Sequence, residues 1–246
     1  MGKMSGENAG DVRFFKEFMK RIIVIGGGPA GMMAAVQAAE SGAHVTLLEK
    51  NTVLGKKLML TGKGRCNITN ACGREDFVKR FRHNGDFLRD AFKVFFNDEL
   101  DVFFRSRGVP LKVERQQRVF PESNRAGSIV KALMSALKKN RVDVRFDSAV
   151  SGLIVEQGRI SGVKVRGKAV LEADAVILAT GGISYRGTGS TGEGLEFARQ
   201  AGHCIEDLRP ALIGLQMKQS FPKLLQGLVL KNIMLTFCCE IGRAHV

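Results

Sequence analysis

A glycine-rich turn between a short apolar strand and a helix constrains this chain more than any other feature. The β-branched run 22–25 is followed by Gly26, Gly28 and Gly31 in the spacing G-x-G-x-x-G, and helix-forming residues 32–41 come next. The first glycine permits a tight turn, the second admits a diphosphate to the backbone, and the third lets helix and strand pack closely. The N-terminus of the helix attracts the phosphate charge. The pattern therefore predicts a dinucleotide site in a parallel α/β sheet.

A second strand and a carboxylate complete this pattern. Gly42 is placed to end the helix, residues 45–48 form the next strand, and Glu49 closes that strand eighteen residues after Gly31. An acid at about this distance bonds ribose hydroxyls and disfavours a 2′-phosphate, so FAD or NAD is expected here rather than NADP. A second formal match at 187–192 lacks a strand directly before it. We interpret it as a glycine-rich loop that enters a helix at 192–201.

The charge of the chain leaves its partners less constrained. The 246 residues carry 38 basic and 24 acidic side chains, a net charge of +14, which favours anionic partners such as dinucleotides or nucleic acid. The basic residues are dispersed, Trp is absent and there is one Tyr, so we expect no nucleic-acid partner. The sequence contains no run of 18 apolar residues, so it predicts no membrane-spanning helix. Five irregularly spaced cysteines favour a reducing cytoplasm over a disulfide scaffold.

The middle of the chain predicts a binding loop followed by helices. Residues 51–70 form an unbroken run of glycine and polar residues, which is typical of a binding loop. Eight phenylalanines follow at helical spacing and are interpreted as core packing. The predicted helices are 74–83, 86–96, 98–107 and 124–139, and the predicted short strands are 111–114, 118–120 and 142–144.

A β-rich segment then distinguishes this chain from a plain dehydrogenase. Three short runs, 149–155, 159–165 and 168–171, are joined by hairpin signals and lead into the buried strand 173–178. The βαβ units of a dehydrogenase continue through helices instead. In this succession of a meander and a buried strand, the chain resembles the two-dinucleotide-fold flavoproteins of the glutathione-reductase and fumarate-reductase type. We therefore predict an α/β, Rossmann-like FAD-binding domain with a parallel sheet and a three-stranded antiparallel meander, plus the start of an inserted substrate domain.

Seven ordered motifs narrow the resemblance. They are Ile-Gly-Gly-Gly at 25–28, Leu-Leu-Glu-Lys at 47–50, Gly-Lys-Lys-Leu at 55–58, Gly-Arg-Cys-Asn at 64–67, Arg-Val-Phe-Pro at 118–121, Ala-Thr-Gly-Gly at 179–182 and Thr-Gly-Ser-Thr-Gly-Glu-Gly at 188–194. Over about residues 21–216 the chain resembles the bacterial BaiN-like flavoproteins, also labelled the aminoacetone-oxidase family of NAD(P)/FAD-dependent oxidoreductases. It departs from the family pattern at Arg186, where proline is usual, and at Lys63, where glycine is frequent.

The resemblance implies a set of cofactor-binding residues. FAD would lie along Gly26, Gly27, Gly28, Pro29, Ala30 and Gly31, with its ribose on Glu49. The other residues implied near the cofactor are Lys50, Arg65, Cys66, Asn67, Val150, Ala179, Thr180 and Gly181. The resemblance also implies NAD(P)H as an electron donor. It places the FAD-binding domain at 19–208 and the beginning of an inserted substrate domain at 209–239.

The residues at both ends of the chain do not match the pattern of this fold. Residues 1–18 form an N-terminal extension, and two interpretations stay open: Met19 is the true start, or the extension is an ordinary frayed arm. Residues 240–246 match a translated sequencing adapter. We therefore expect a non-native tail there and a natural chain that is cut near Cys239.

The sequence identifies no catalytic residue and no metal site. Neither a Ser-His-Asp set nor paired carboxylates appear, as expected where a flavin carries the chemistry. Cys66 and Cys72 do not have the C-x₄-C spacing of disulfide reductases and are interpreted as loop cysteines. The arginines near Arg118 are interpreted mainly as a solvated basic face, with Arg118 itself the best candidate for an anion contact.

Three functional hypotheses remain open. The first is an FAD-dependent oxidoreductase that moves hydride between NAD(P)H, flavin and a small organic substrate, as a reductase or as an amine oxidase that uses O₂. The second is an NAD-dependent dehydrogenase. The third is a non-catalytic dinucleotide- or nucleic-acid-binding module.

Overall fold

A computed structural model describes residues 19–81, 84–209, 224–225, 227–228, 236–239 and 242–245. The chain divides into two compact units, residues 1–205 and residues 206–246.

The described residues of the first unit form ten strands and six helices. The strands are β1 (Arg21–Ile25), β2 (His44–Leu48), β3 (Thr69–Asn70), β4 (Leu111–Val113), β5 (Arg118–Pro121), β6 (Asp143–Arg145), β7 (Val150–Glu156), β8 (Arg159–Val165), β9 (Val170–Glu172) and β10 (Ala175–Leu178). The helices are α1 (Pro29–Glu40), α2 (Arg74–Lys79), α3 (Arg89–Val94), α4 (Asn97–Arg105), α5 (Ala126–Lys139) and α6 (Glu193–Gln200). Single 3₁₀ segments lie at Leu58–Gly64, Gly85–Leu88, Arg115–Gln117 and Arg186–Thr188.

In the second unit, β11 (Thr236–Cys239) pairs antiparallel with β12 (Gly242–His245). The residues interpreted from sequence as a non-native tail thus include the second strand of this pair. The predicted starts and ends of the domains remain predictions.

A parallel sheet of four strands organises the first unit, and the predicted fold class is confirmed. The strand order is β10-β1-β2-β6, so the two strands of the glycine motif lie next to one another. Helix α1 connects them and begins at Pro29, three residues before the predicted start. A proline in the first helical position has its φ preset and loses no hydrogen bond, which explains the earlier start.

The two faces of the sheet are covered differently. The side chain of Val24 lies in a core that it shares with α1 and α5, whereas Ile23 and Ile25 lie in a second core on the opposite face. Alternate residues of a strand point to opposite faces, so β1 is buried on both sides. The predicted meander is β7-β8-β9, and Val150, Val163 and Val165 from it form the second core together with Phe197 of α6. The run 149–171 therefore forms the layer that covers the face opposite α1.

The helical region after the first βαβ unit is less regular than predicted. The run expected at 86–96 is a 3₁₀ turn followed by the short helix α3, and the helix expected at 74–83 ends at Lys79, with residues 82–83 outside the described part. Phe104 is buried in the first core, as the packing interpretation predicts. Phe77 and Phe92 stack edge to face, 5.4 Å between ring centroids, in a separate aromatic cluster. Phe87 is 88% exposed, so packing does not account for all eight rings.

Within the described residues, no helix is long and apolar enough to cross a membrane.

Candidate functional site

The carboxyl ends of β1, β2 and β10 open onto a cavity of about 630 Å³. The glycine turn supplies Gly26, Gly27, Gly28, Pro29 and Ala30 to its lining. Predicted residues from elsewhere in the chain that also line it are Glu49, Lys50, Val150, Ala179, Thr180 and Gly181. Eleven of the fifteen residues implied by the resemblance thus lie around one space, at the sheet edge where doubly wound folds bind ligands.

Each glycine of the motif occupies a position that only glycine fits or that opens onto the cavity. Gly26 has φ +109°, and a Cβ there would lie 2.5 Å from the carbonyl oxygen of Ala179. A Cβ at Gly31 would lie 1.9 Å from the carbonyl oxygen of Gly26, so this glycine holds α1 against the turn and does not line the cavity. A Cβ at Gly28 would meet nothing within 4 Å. Gly28 therefore leaves open the space in which, according to the motif, a diphosphate approaches the backbone.

The N-terminus of α1 faces this space without a side-chain cap. Gly28 is the N-cap residue, it makes no side-chain hydrogen bond, and the first turn of the helix contains no acidic residue. Met32 donates the first helical backbone bond, to the carbonyl of Gly28. The amides of Ala30 and Gly31 precede that bond, so they are among the orphan donors of a helix start. Such donors and the helix dipole favour an anion.

The Glu49 carboxylate lies beside this helix start. Its Oε2 accepts a hydrogen bond of 2.7 Å from the backbone N–H of Gly27. Its Oε1 accepts two more, at 2.8 Å from the backbone N–H of Asn51 and at 2.6 Å from the Asn51 side-chain amide. The residue is 7% exposed. The acid predicted to bond ribose is therefore held at the edge of the cavity in one orientation.

The Lys50 side chain lines the cavity and contacts residues at the start of α6. Its ammonium donates to Glu193 Oε2 at 2.7 Å and to Thr191 Oγ1 at 3.0 Å. The glycine-rich loop before α6 contains Gly189 at φ +103° and Gly192 at φ +91°, and β10 ends well before it. The predicted entry of this loop into a helix is thus confirmed. Because Lys50 pairs with Glu193, it links β2 to α6 on the two sides of the same cavity.

Besides Gly31, three predicted cofactor residues do not line this cavity. Arg65 forms an ion pair with Glu114, in which one guanidinium nitrogen lies 2.9 and 3.0 Å from the two carboxylate oxygens, and its guanidinium lies 4.1 Å over the ring of Phe120. Cys66 is 1% exposed, and burial raises the pKa of its thiol, which disfavours the reactive thiolate. The Asn67 amide, in the orientation that satisfies both of its ends, donates to two backbone carbonyls at 3.1 Å. Their predicted contact with a cofactor remains a prediction.

The sequence reasoning missed several residues that line the cavity. They are Asn51, Lys56, Lys57, Ser148, Ser190 and Phe197. Ser190 lies in one of the seven motifs, and Lys56 and Lys57 lie in another. These motifs could therefore have indicated the three residues, although the resemblance implied no cofactor contact for them. No local pattern marks Ser148 or Phe197, because the meander and α6 bring them to the cavity from far along the chain.

The cavity fits the adenosine diphosphate half of a dinucleotide. An uncapped helix start and an open glycine suit the diphosphate, the Glu49 carboxylate suits a hydroxyl donor, and Val150 provides an apolar wall. A pocket with a few fixed polar groups on apolar walls is typical of cofactor sites.

Comparison with known proteins identifies the family. The model of the HI0933-like protein Rossmann domain matches residues 20–241. The chain belongs to this family. A 3-dehydro-bile acid delta(4,6)-reductase of Clostridium scindens is 36% identical over 206 residues, which cover 82% of this chain and 48% of the reductase. A ribosomal RNA dihydrouridine synthase of Haemophilus influenzae is 26% identical over 220 residues, 88% of this chain and 54% of that protein.

Membership of the HI0933-like family confirms the resemblance inferred from the seven motifs. The chain spans about half the length of the curated relatives it matches. Among solved structures, the 3-ketosteroid-Δ4-(5α)-dehydrogenase of Rhodococcus jostii RHA1 superimposes with a TM-score of 0.55 at 21% identity. That match covers 69% of this chain and 47% of the dehydrogenase, and it shows a shared fold.

Proposed function

We propose that this chain is the FAD-binding part of a flavin-dependent oxidoreductase. The observation that carries the proposal is the pairing of an open, uncapped helix start at Gly28 with the Glu49 carboxylate, whose Oε2 lies 2.7 Å from the Gly27 amide nitrogen. A diphosphate and its neighbouring ribose need these two features side by side.

The chain's own residues would divide the binding of FAD between them. The amides of Ala30 and Gly31 would hold the diphosphate, Glu49 would accept from the ribose, and Val150 would lie against the adenine. The flavin, when bound, supplies hydride acceptance and donation. Arg65 lies outside the cavity, beside Glu114, and its predicted contact would be with a part of the cofactor beyond the adenosine diphosphate.

The reaction we propose is the transfer of hydride from NAD(P)H through FAD to a small organic substrate. The 36% identical relative is named a reductase of 3-dehydro-bile acids, which supports reduction over amine oxidation. Cys66, Cys72 and Cys204 are free thiols, which supports a cytoplasmic location.

A specific observation supports testing one alternative. The Haemophilus influenzae relative is named for ribosomal RNA, although the basic residues of this chain form no continuous run. Salt-sensitive binding of an RNA duplex without any dinucleotide affinity would favour that alternative.

Titration of the purified chain with FAD, ADP, NAD⁺ and NADP⁺ tests the proposal. We expect FAD and ADP to saturate and to compete for one site, and NADP⁺ to bind least, because a 2′-phosphate would meet the Glu49 carboxylate. Glu49→Gln removes a charged acceptor, so the affinity for ADP should fall by about tenfold. Glu40→Gln, at the far end of α1, is the matched control and should leave the affinity unchanged. Absence of saturable binding by both FAD and ADP would reject the proposed function.

A further inference from the structure

The Glu49 carboxylate has little capacity left for a ligand. An ionised carboxylate offers about four lone-pair positions, two on each oxygen. Among the described residues, Asn51 fills both positions of Oε1, through its backbone N–H and its side-chain amide. The Gly27 N–H fills one position of Oε2. One acceptor position remains, on Oε2.

Asn51 is itself fixed from three sides. Its amide nitrogen donates to Glu49 at 2.6 Å and also reaches the carbonyl oxygen of Thr188 at 3.3 Å. Its amide oxygen accepts from the ammonium of Lys56 at 3.5 Å. These contacts define which end of the amide faces the carboxylate, so the side chain cannot turn over without losing them.

The loop before α6 is shaped around this amide. A Cβ at Gly189 would lie 2.8 Å from Asn51 Nδ2, and Gly189 has φ +103°, where side chains are strained. The close approach therefore requires glycine there for two reasons. Asn51 joins the acid at the end of β2 to a loop that is 137 residues away in sequence.

We infer that Asn51 is a positioning residue that saturates one oxygen of the Glu49 carboxylate and turns the other toward the ligand, so that Glu49 accepts from a single ribose hydroxyl. The inference rests on the proposed adenine-dinucleotide site and adds to it a specificity: one of the two ribose hydroxyls is recognised by the acid and the other is not.

Calorimetric titration with ADP, 2′-deoxy-ADP and 3′-deoxy-ADP tests this. In the unmodified chain, one deoxynucleotide should bind about tenfold more weakly than ADP and the other within about twofold, because a single charge-assisted hydrogen bond is lost. Asn51→Ala keeps the backbone N–H that donates to Oε1 but removes the side-chain donor, so one acceptor position of Oε1 becomes free for the second hydroxyl. In the nearly isosteric Asn51→Asp, the new carboxylate repels that of Glu49. Both variants should lose the difference between the two deoxynucleotides, and Asn51→Asp should also bind ADP more weakly.

Asn140→Ala is the matched control. The Asn140 amide also donates to one carboxylate, that of Glu40 at 3.1 Å, and to one backbone carbonyl, that of Ala136 at 3.1 Å, in a different part of the fold. This variant should keep both the affinity for ADP and the selectivity of the unmodified chain. Urea unfolding of each variant establishes that it is folded before it is titrated.

The outcomes distinguish a failure of the inference about Asn51 from a failure of the proposed function. Equal losses with both deoxynucleotides in the unmodified chain would mean that Glu49 accepts from both hydroxyls, which overturns the inference without any variant. Unchanged selectivity in a folded Asn51 variant would also overturn it while ADP still binds. Failure of the unmodified chain to bind ADP at all would instead overturn the proposed function.

Discussion

Gly28 allows the proposed diphosphate site to be blocked without disturbing the fold. Its φ of −75° and ψ of 178° are open to any L-residue, and a Cβ there meets nothing within 4 Å. Gly28→Ala should therefore cost only the N-cap preference, about 1 kcal/mol at most. The new methyl group would occupy space at the start of α1. Loss of one amide–phosphate bond, worth about 1.5–3 kcal/mol, should weaken FAD binding by roughly tenfold to a hundredfold.

Two other glycines provide the controls. Gly73 is the N-cap of α2, has φ −62° and ψ 158°, and also has nothing within 4 Å of a Cβ, so Gly73→Ala should match the stability cost and leave FAD binding unchanged. Gly31→Ala should instead destabilise the fold, because its Cβ would lie 1.9 Å from the Gly26 carbonyl oxygen. Overpacking costs about 1–3 kcal/mol, which the roughly 1 kcal/mol gain in helix propensity only partly offsets.

Urea unfolding and fluorescence titration with FAD measure the two effects separately. A folded Gly28→Ala variant that binds FAD as tightly as the unmodified chain would refute the diphosphate site at Gly28. A Gly31→Ala variant as stable as Gly73→Ala would refute the close packing of α1 on the turn.

Three further predictions concern the Lys50–Glu193 pair, Cys66 and the Arg65–Glu114 pair. Lys50→Met and Glu193→Gln break the same ion pair, so both should lower the affinity for FAD by a similar factor in titration; a rise in Glu193→Gln would mean that Lys50 contacts phosphate directly. Burial raises the pKa of the Cys66 thiol above its value in the unfolded chain. The contribution of the protonated thiol to the free energy of unfolding is therefore complete below about pH 8.5, and it is lost as the pH rises through the folded pKa. Urea unfolding at several alkaline pH values should show less of this loss in Cys66→Ala, and equal losses would contradict the burial. Arg65 holds the pKa of the Glu114 carboxyl below its ordinary range, and Arg65→Met should raise it in a carbon-13 NMR titration; an unchanged pKa would contradict the ion pair.

The opening βαβ unit could be predicted because its determinants are local. The positive φ of Gly26, the close approach of Gly31 to the Gly26 carbonyl and the position of Glu49 at the end of a strand are all set within thirty residues. The meander was also recognised from its hairpin signals. What the local signals did not indicate is that this meander covers the face of the sheet opposite α1. The position of Val150 at the cavity was expected only from the family resemblance.

The parts of the site that were missed depend on distant contacts. The Asn51 amide is held by the Thr188 carbonyl as well as by Glu49, and no spacing rule connects Asn51 with Thr188. Arg65 was expected beside a cofactor, but the structure pairs it with Glu114 after β4 and stacks it on Phe120 of β5. Such contacts arise from the pairing of β4 with β5 and of β3 with β5, which a reading along the chain does not determine.

A crystal structure of the chain with ADP tests the central claim most directly. The account predicts the diphosphate within hydrogen-bond distance of the Ala30 and Gly31 amides, and a ribose hydroxyl at about 2.6–2.8 Å from Oε2 of Glu49. A nucleotide bound elsewhere, or bound here with its ribose away from Glu49, would contradict the account.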